Sequence, residues 1–263
     1  MAQHICLNTY QRNGVCVKVF YLFSETSNPE HEGRRANIQK LPHATKRYCL
    51  ENFIKCFPTS EITVLADGIL PDTLDYLQGL QSEGKIKFRK IFAGSMAKAF
   101  RVGLEAIRDL PENEAVMIQE DDYLYLDGAE KAITEALVYG DYVTGYTHPD
   151  KWMNPERGGN PFVEQEGVSE ITRVIQCPSR FWMITNSTTC TFATTRDTIR
   201  ADWDDWMEGT KDEVNAQDFQ TFIRLRQTKD RLVLMPIPTL STHTMMDWLA
   251  PLQGTGITSW GAV

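Results

Sequence analysis

Apolar and polar positions follow two different periods along the first half of the chain. Val15 to Phe23, VCVKVFYLF, is β-branched and aromatic and reads as a buried strand. After the polar loop SETSNPEHEGRRAN, Thr45 to Phe57 sets Tyr48, Cys49, Asn52, Phe53 and Cys56 at helical spacings, and Pro58 ends the run. Glu61 to Ala66 is a second strand that stops at Asp67-Gly68; Pro71 to Leu80 is a second helix and Ile86 to Phe92 a short strand. Ser95 to Leu110 carries Met96, Ala99, Phe100, Gly103, Leu104 and Ile107 along one helical face, and Ala115 to Gln119 is an apolar strand. Alternation of this kind predicts an α/β fold whose mostly parallel sheet is flanked by helices.

Past Asp127 the pattern loosens. It predicts a helix over Ala129 to Tyr139, strands at Ile171 to Gln176 and Thr189 to Thr194, a helix over Asp212 to Gln227 and a strand over Arg231 to Met235. Between them, Gly145 to Gly167 holds glycine, proline and tryptophan, as loops around a site do. No repeat or linker interrupts the chain, so residues 1–263 read as one domain. Within it, the change of pattern separates about 1–127 from about 128–263.

Composition narrows the function. A chain of 263 residues with 42% hydrophobic and 24% charged residues is globular. A net charge of -8 argues against general affinity for nucleic acid or anionic membrane. No run approaches the roughly 18 apolar residues of a membrane span, and the N-terminus lacks a signal pattern, so a soluble cytoplasmic protein is expected. The six cysteines show no CxxC pair and read as reduced thiols; Cys49 and Cys56, seven apart, share a helical face as core residues do.

The chemistry concentrates in VMIQEDDYLYL, residues 116–126, where Glu120, Asp121 and Asp122 follow an apolar strand. In a parallel sheet the carboxyl ends of strands meet ligands. Clustered carboxylates either face water, as in a wet turn, or recruit a hard cation such as Mg²⁺ or Mn²⁺ with positions left for phosphate oxygens.

The segment FAGSMAKAFRVGLEAIRDLPENEAVMIQEDDYLY, Phe92 to Tyr125, resembles the core of the GT-A (Rossmann-like) glycosyltransferases. The match is an ordered pattern: Gly94, the small residues Ala97 and Ala99, Gly103-Leu104, Ala106, then the apolar strand and its acids, an EDD variant of the family's DxD motif. The resemblance implies a nucleotide-sugar donor, UDP-sugar by default, with Mn²⁺ or Mg²⁺ as cofactor. It implies Asp122 as metal ligand and Glu120 as ribose or sugar contact, with Asp121 also beside the donor. Phe23 and Thr26 stand where the family's first strand and loop hold the base, and Asp67 where its second strand meets the nucleoside. Asp-Gly is also a common turn pair, so Asp67 has two readings. Arg34-Arg35 is either a diphosphate contact or an exposed charge pair.

Gln217-Asp218 resembles the family's acidic motif near the acceptor, which makes Asp218 a candidate base for an inverting transfer; an Asp early in a helix is also explained by the macrodipole. In a retaining enzyme Asp218 would instead be a substrate contact. His243, in LSTHTMMDW, stands where the family often carries a late metal or diphosphate ligand, although a lone His is more often structural. Trp152, Trp182, Trp203, Trp206 and Trp248 offer stacking faces for an acceptor sugar, with Trp203 and Trp206 spaced for core packing.

The implied function is transfer of a sugar to a hydroxyl-bearing acceptor (glycan, protein, lipid or modified nucleobase), in a bacterial or viral cytoplasm, with homodimer formation left open. Two alternatives stand beside it. A nucleotidyltransferase acting on sugar phosphates would need a glycine-rich basic loop after the first strand, where this chain has FSETSNPEHEG. A non-enzymatic carbohydrate-binding protein would carry the acids as a wet turn.

Overall fold

The computed structural model describes residues 16–25, 39–152, 174–212, 214–258 and 261. The first half runs β1 (Lys18–Ser24), α1 (Lys46–Cys56), β2 (Glu61–Asp67), α2 (Pro71–Ser82), β3 (Lys87–Ile91), α3 (Met96–Arg108) and β4 (Ala115–Glu120). Thr45 starts α1 and Ser95 starts α3 by accepting the backbone N–H three residues on, from Tyr48 and Lys98. Pro71 opens α2 at the one helical position where its missing N–H is harmless.

The second half adds β5 (Tyr123–Tyr125), α4 (Ala129–Ala136), β6 (Tyr142–Val143), β7 (Val174–Gln176), β8 (Phe181–Thr185) and β9 (Phe192–Thr195). After these come α5 (Arg196–Ala201), α6 (Trp203–Gly209), α7 (Asp218–Lys229), β10 (Val233–Ile237) and β11 (Ser241–His243). The main sheet has nine strands in the order β3-β2-β1-β4-β9-β6-β10-β8-β7, so it draws on both halves of the chain. Strands β9 and β8 run against the other seven, as the pairings show, which leaves the sheet mostly parallel.

The order places the site. From β1 the chain winds outward through β2 and β3, then returns to put β4 on the other side of β1. Such a reversal opens a crevice beyond the carboxyl ends of the two strands between which it happens. Leu22 of β1 pairs with Glu120 of β4, so both strands end at that crevice.

Side chains of β1 alternate between two cores. Val19, Tyr21 and Phe23 join Phe53, Phe57 and Tyr125 on one face, while Phe20 and Leu22 join Phe100, Phe192, Trp206 and Phe222 on the other. Burial of each such large side chain contributes about 1.5–3 kcal/mol.

Several boundaries differ from the sequence pattern. The helix expected from Asp212 starts at Asp218, because the Asp212 carboxylate accepts the Val214 N–H at 3.1 Å and offers the backbone a turn instead. The strand expected over Thr189 to Thr194 starts at Phe192, since Thr189 and Cys190 have φ of 50° and 56°, outside the range of a strand.

Below the second core, Asp202 is fully buried and paired with Arg231, whose Nε lies 2.9 Å from its Oδ2; it also accepts from Lys229 Nζ at 3.1 Å and the Tyr142 hydroxyl at 2.8 Å. Asp202→Ala strands the Tyr142 hydroxyl and removes one of the two carboxylates on Arg231, which keeps Asp141 at 2.9 Å, and a loss of about 1–3 kcal/mol is expected in urea unfolding. A loss under about 1 kcal/mol would show that the network is surface-like in its energetics.

Candidate active site

A cavity of about 290 Å³ occupies the crevice. Leu22, Phe23 and Ser24 of β1, Asp67 of β2 and Gly94 to Met96 at the start of α3 form one side; Glu120, Asp121, Asp122, Asp218, His243 and Trp248 form the rest, with Lys46. Seven of the eight site residues expected from the sequence therefore line one cavity. The eighth, Thr26, lies outside the described residues, as do Arg34 and Arg35.

The acidic triplet splits by direction. Glu120 closes β4 and is half-buried at the cavity wall. Asp121 is buried and turns toward β1, where its Oδ2 accepts the Ser24 N–H at 2.8 Å and pairs with Lys46 Nζ at 2.9 Å. Burial pushes the Asp121 carboxyl above the usual carboxylate range and the neighbouring Asp122 adds to this, while Lys46 and the Ser24 N–H oppose it.

Asp122 turns toward His243. The second sheet explains why, since β5 and β11 pair antiparallel with Tyr123 opposite His243, and the Thr244 N–H reaches the Asp122 carbonyl at 2.9 Å. His243 Nε2 lies 3.4 Å from Asp122 Oδ2, and its Nδ1 accepts the Met245 N–H at 3.0 Å. Because Nδ1 accepts that N–H, a neutral ring carries its proton on Nε2 and points it at the carboxylate; ligation of an ion through Nε2 would need the proton on Nδ1 and the Met245 contact given up.

Asp122 suits a hard divalent ion, and His243 would join it once the Nε2 proton is displaced. Two ligands about 2.1 Å from one ion and at a right angle to each other stand about 3 Å apart, close to the separation of the two atoms. Among the described residues no three His, Cys, Asp or Glu side chains are grouped to hold a metal ion. Such ions are commonly held by one or two protein groups and completed by phosphate oxygens and water. The donor set fits Mn²⁺ or Mg²⁺ brought together with a diphosphate.

Asp67 takes a definite structural part. Its Oδ1 accepts the Ala93 N–H and its Oδ2 the Gly94 N–H, both at 2.9 Å, so the carboxylate fixes the turn that launches α3. Gly94 has φ of 68°, which an L side chain adopts only under strain. Asp67→Ala strands these two donors, and a loss of about 1–3 kcal/mol in thermal or urea unfolding is expected. An unchanged melting temperature would show that the turn holds without it.

Asp218 is the first residue of α7 and is gripped by the loop 187–190. Its Oδ2 takes the Thr188 N–H at 2.9 Å, and the Cys190 N–H, Ser187 Oγ and Thr188 Oγ1 each at 3.3 Å. The backbone donors of Thr188 and Cys190, on either side of Thr189 in a left-handed turn, hold the carboxylate much as a nest holds an anion. Among the described residues every donor to this carboxylate reaches Oδ2, so its orientation against the cavity is fixed and Oδ1 stands clear of that grip.

The tryptophans divide. Trp182 and Trp206 are buried core residues, and Trp203 packs under Arg108 at 4.3 Å. Trp248 stands in the cavity wall with its ring 5.0 Å from His243 and perpendicular to it. Cys49 and Cys56 are buried, and burial pushes both thiols up to about 12, which suits protonated core residues. Sequence reasoning missed Lys46 and the 187–190 nest. Lys46 had a signal: it is a cation in the first turn of a helix, against the macrodipole. The nest had none, because neither Thr nor Cys advertises a left-handed backbone.

Comparison with known proteins bears on this architecture. GalNAc-T7, solved with UDP, GalNAc and Mn²⁺, matches 92% of this chain and 45% of its own at a TM-score of 0.56 and 10% identity. The galactosyltransferase LgtC, solved with donor and acceptor sugar analogues, covers 83% of this chain and 73% of its own, with a TM-score of 0.47 and 11% identity. A nucleoside-diphosphate-sugar pyrophosphorylase from Vibrio cholerae RC9 covers 87% of this chain and 95% of its own, with a TM-score of 0.46 and 9% identity. No protein-family model matches the chain, and no curated protein matches its sequence. The chain has the GT-A fold: a large, mostly parallel α/β sheet flanked by helices. It spans less than half the length of GalNAc-T7. No helix among the described residues is long and apolar enough to cross a membrane.

Proposed function

We propose that the chain is a metal-dependent glycosyltransferase that moves a sugar from a nucleoside-diphosphate sugar, UDP-sugar first among the candidates, to an acceptor hydroxyl with inversion. The observation that carries this reading is the meeting of the Asp122 and His243 pair with the fixed Asp218 carboxylate in one cavity at the strand-order reversal.

The roles follow from position. Asp122 and His243 would hold Mn²⁺ or Mg²⁺ against the donor. When bound, that ion supplies Lewis-acid neutralisation of charge on the departing nucleotide. Glu120 receives the ribose or sugar hydroxyls, and Phe23, Thr26 and Asp67 serve the nucleoside. Asp121 stands behind them, paired with Lys46. Asp218 Oδ1 accepts the proton of the acceptor hydroxyl while Oδ2 stays in its nest, so the base keeps its position as the hydroxyl attacks. Residues 1–127 thus serve the donor, joined by His243, and the rest of 128–263 the acceptor, for which Trp248 offers an apolar face. Neither step calls for a membrane or for nucleic acid affinity, which fits the net charge of -8.

The test is a mass-spectrometric screen of nucleotide sugars with Mn²⁺ and mixed glycan, peptide and lipid acceptors. Metal-dependent release of nucleoside diphosphate with a glycosylated product supports the proposal. Pyrophosphate release from a nucleoside triphosphate and a sugar 1-phosphate would replace it with nucleotidyl transfer, and no turnover with simple sugar binding would replace it with a lectin-like role.

A further inference from the structure

Five carboxylates line the cavity, Asp67, Glu120, Asp121, Asp122 and Asp218, against one lysine. A nucleoside diphosphate entering there brings two or more negative charges of its own, and a single divalent ion at Asp122 and His243 offsets only two. The cavity needs another cation on the donor side.

Lys46 is in the right place for this. It is the first residue of α1, where the helix dipole favours an anion, and no acidic residue shares that turn. A local preference broken in this way is expected at a functional position. Its ammonium bonds the Ser24 carbonyl and pairs with Asp121 Oδ2 at 2.9 Å, and its side chain is about one third exposed at the cavity wall. The segment before it runs beside the metal pair, since the Leu41 N–H reaches the Thr244 carbonyl at 2.9 Å and Lys40 bridges Met245.

Asp121 can give up the ammonium without being stranded. The Ser24 N–H reaches the same Oδ2 at 2.8 Å and stays there if Lys46 swings away. Lysine suits the exchange, because its four-carbon stem lets three rotatable donors move between acceptors.

Resting on the glycosyltransferase reading, we infer that Lys46 is a donor-binding residue whose ammonium passes from Asp121 to the diphosphate of the nucleotide, as a second positive charge beside the metal. Asp121 is then the parking partner that keeps Lys46 at the cavity when no nucleotide is bound.

The experiment is calorimetric titration of wild type, Lys46→Met and Lys46→Arg with UDP, GDP, CDP and ADP, and with the matching nucleosides, all in Mn²⁺. For the nucleotide that wild type prefers, Lys46→Met is expected to weaken diphosphate binding about tenfold or more, to change nucleoside binding less than about twofold, and Lys46→Arg to recover part of the loss. Equal weakening of diphosphate and nucleoside would overturn the inference in favour of a purely structural lock on Asp121. Unchanged diphosphate binding by Lys46→Met would overturn it while leaving the glycosyltransferase reading intact. A wild-type chain that binds none of the diphosphates with Mn²⁺ would remove that reading and this one together.

Discussion

Asp122→Ala is expected to abolish Mn²⁺-dependent nucleotide binding, by roughly 100-fold or more in Kd, while the ligand-free protein still folds and melts at most a few degrees lower, relief of Asp121 offsetting part of the lost His243 contact. The two halves of this expectation have separate causes. On the proposed reading the carboxylate holds the ion together with His243, whose Nε2 lies 3.4 Å away, and losing a ligand costs more than the 10–100-fold typical of a supporting contact. The fold does not depend on that side chain in the same way. The turn after β4 is held through the backbone, by the Thr244 N–H on the Asp122 carbonyl, and removing the carboxylate relieves repulsion on buried Asp121. Equilibrium binding of nucleotide with and without Mn²⁺ reads the first half, and a melting curve the second. Retained metal-dependent binding would mean that Glu120 or Asp121, and not Asp122, faces the ion.

Asp218→Asn is expected to leave donor binding within about twofold and to lower turnover about 10²–10⁴-fold, the range spanned by removal of a general base. Asparagine keeps an oxygen for the nest of Thr188 and Cys190 N–H groups, so the loop and the start of α7 remain in place. What it loses is an anionic oxygen that accepts a proton. The comparison to make is kcat against donor affinity in the same preparation. Near-normal kcat would remove Asp218 as base and point to a retaining transfer, in which it is a substrate contact.

Much of the first half was legible in the sequence because each of its elements is a long run with one period. The apolar residues of β1, β2 and β4 and the single face of α3 fall within a few positions of their expected bounds. The second half was legible only in part. Strands β5, β6 and β11 have three, two and three residues, too short for a period to emerge. Strand β8, FWMIT, is a short run without period-two alternation, and α5 and α6 abut at Asp202 with no loop between them. The site shows the same division. The carboxylates announced themselves by clustering at a strand end, whereas the pairing of Asp122 with His243 depends on the register of β5 against β11, which no local pattern encodes. The grip on Asp218 depends on backbone donors of a left-handed loop, and backbone leaves no mark in a sequence.

The most direct measurement of the central claim is the melting temperature of the wild-type chain with Mn²⁺ alone, nucleoside diphosphate alone and the two together. A metal-dependent donor site predicts little shift with either alone and a joint shift of about 5–10 °C, the equivalent of about 2.7 kcal/mol at a ligand concentration near 100 times Kd. Equal shifts with and without Mn²⁺, or none under any condition, would contradict it.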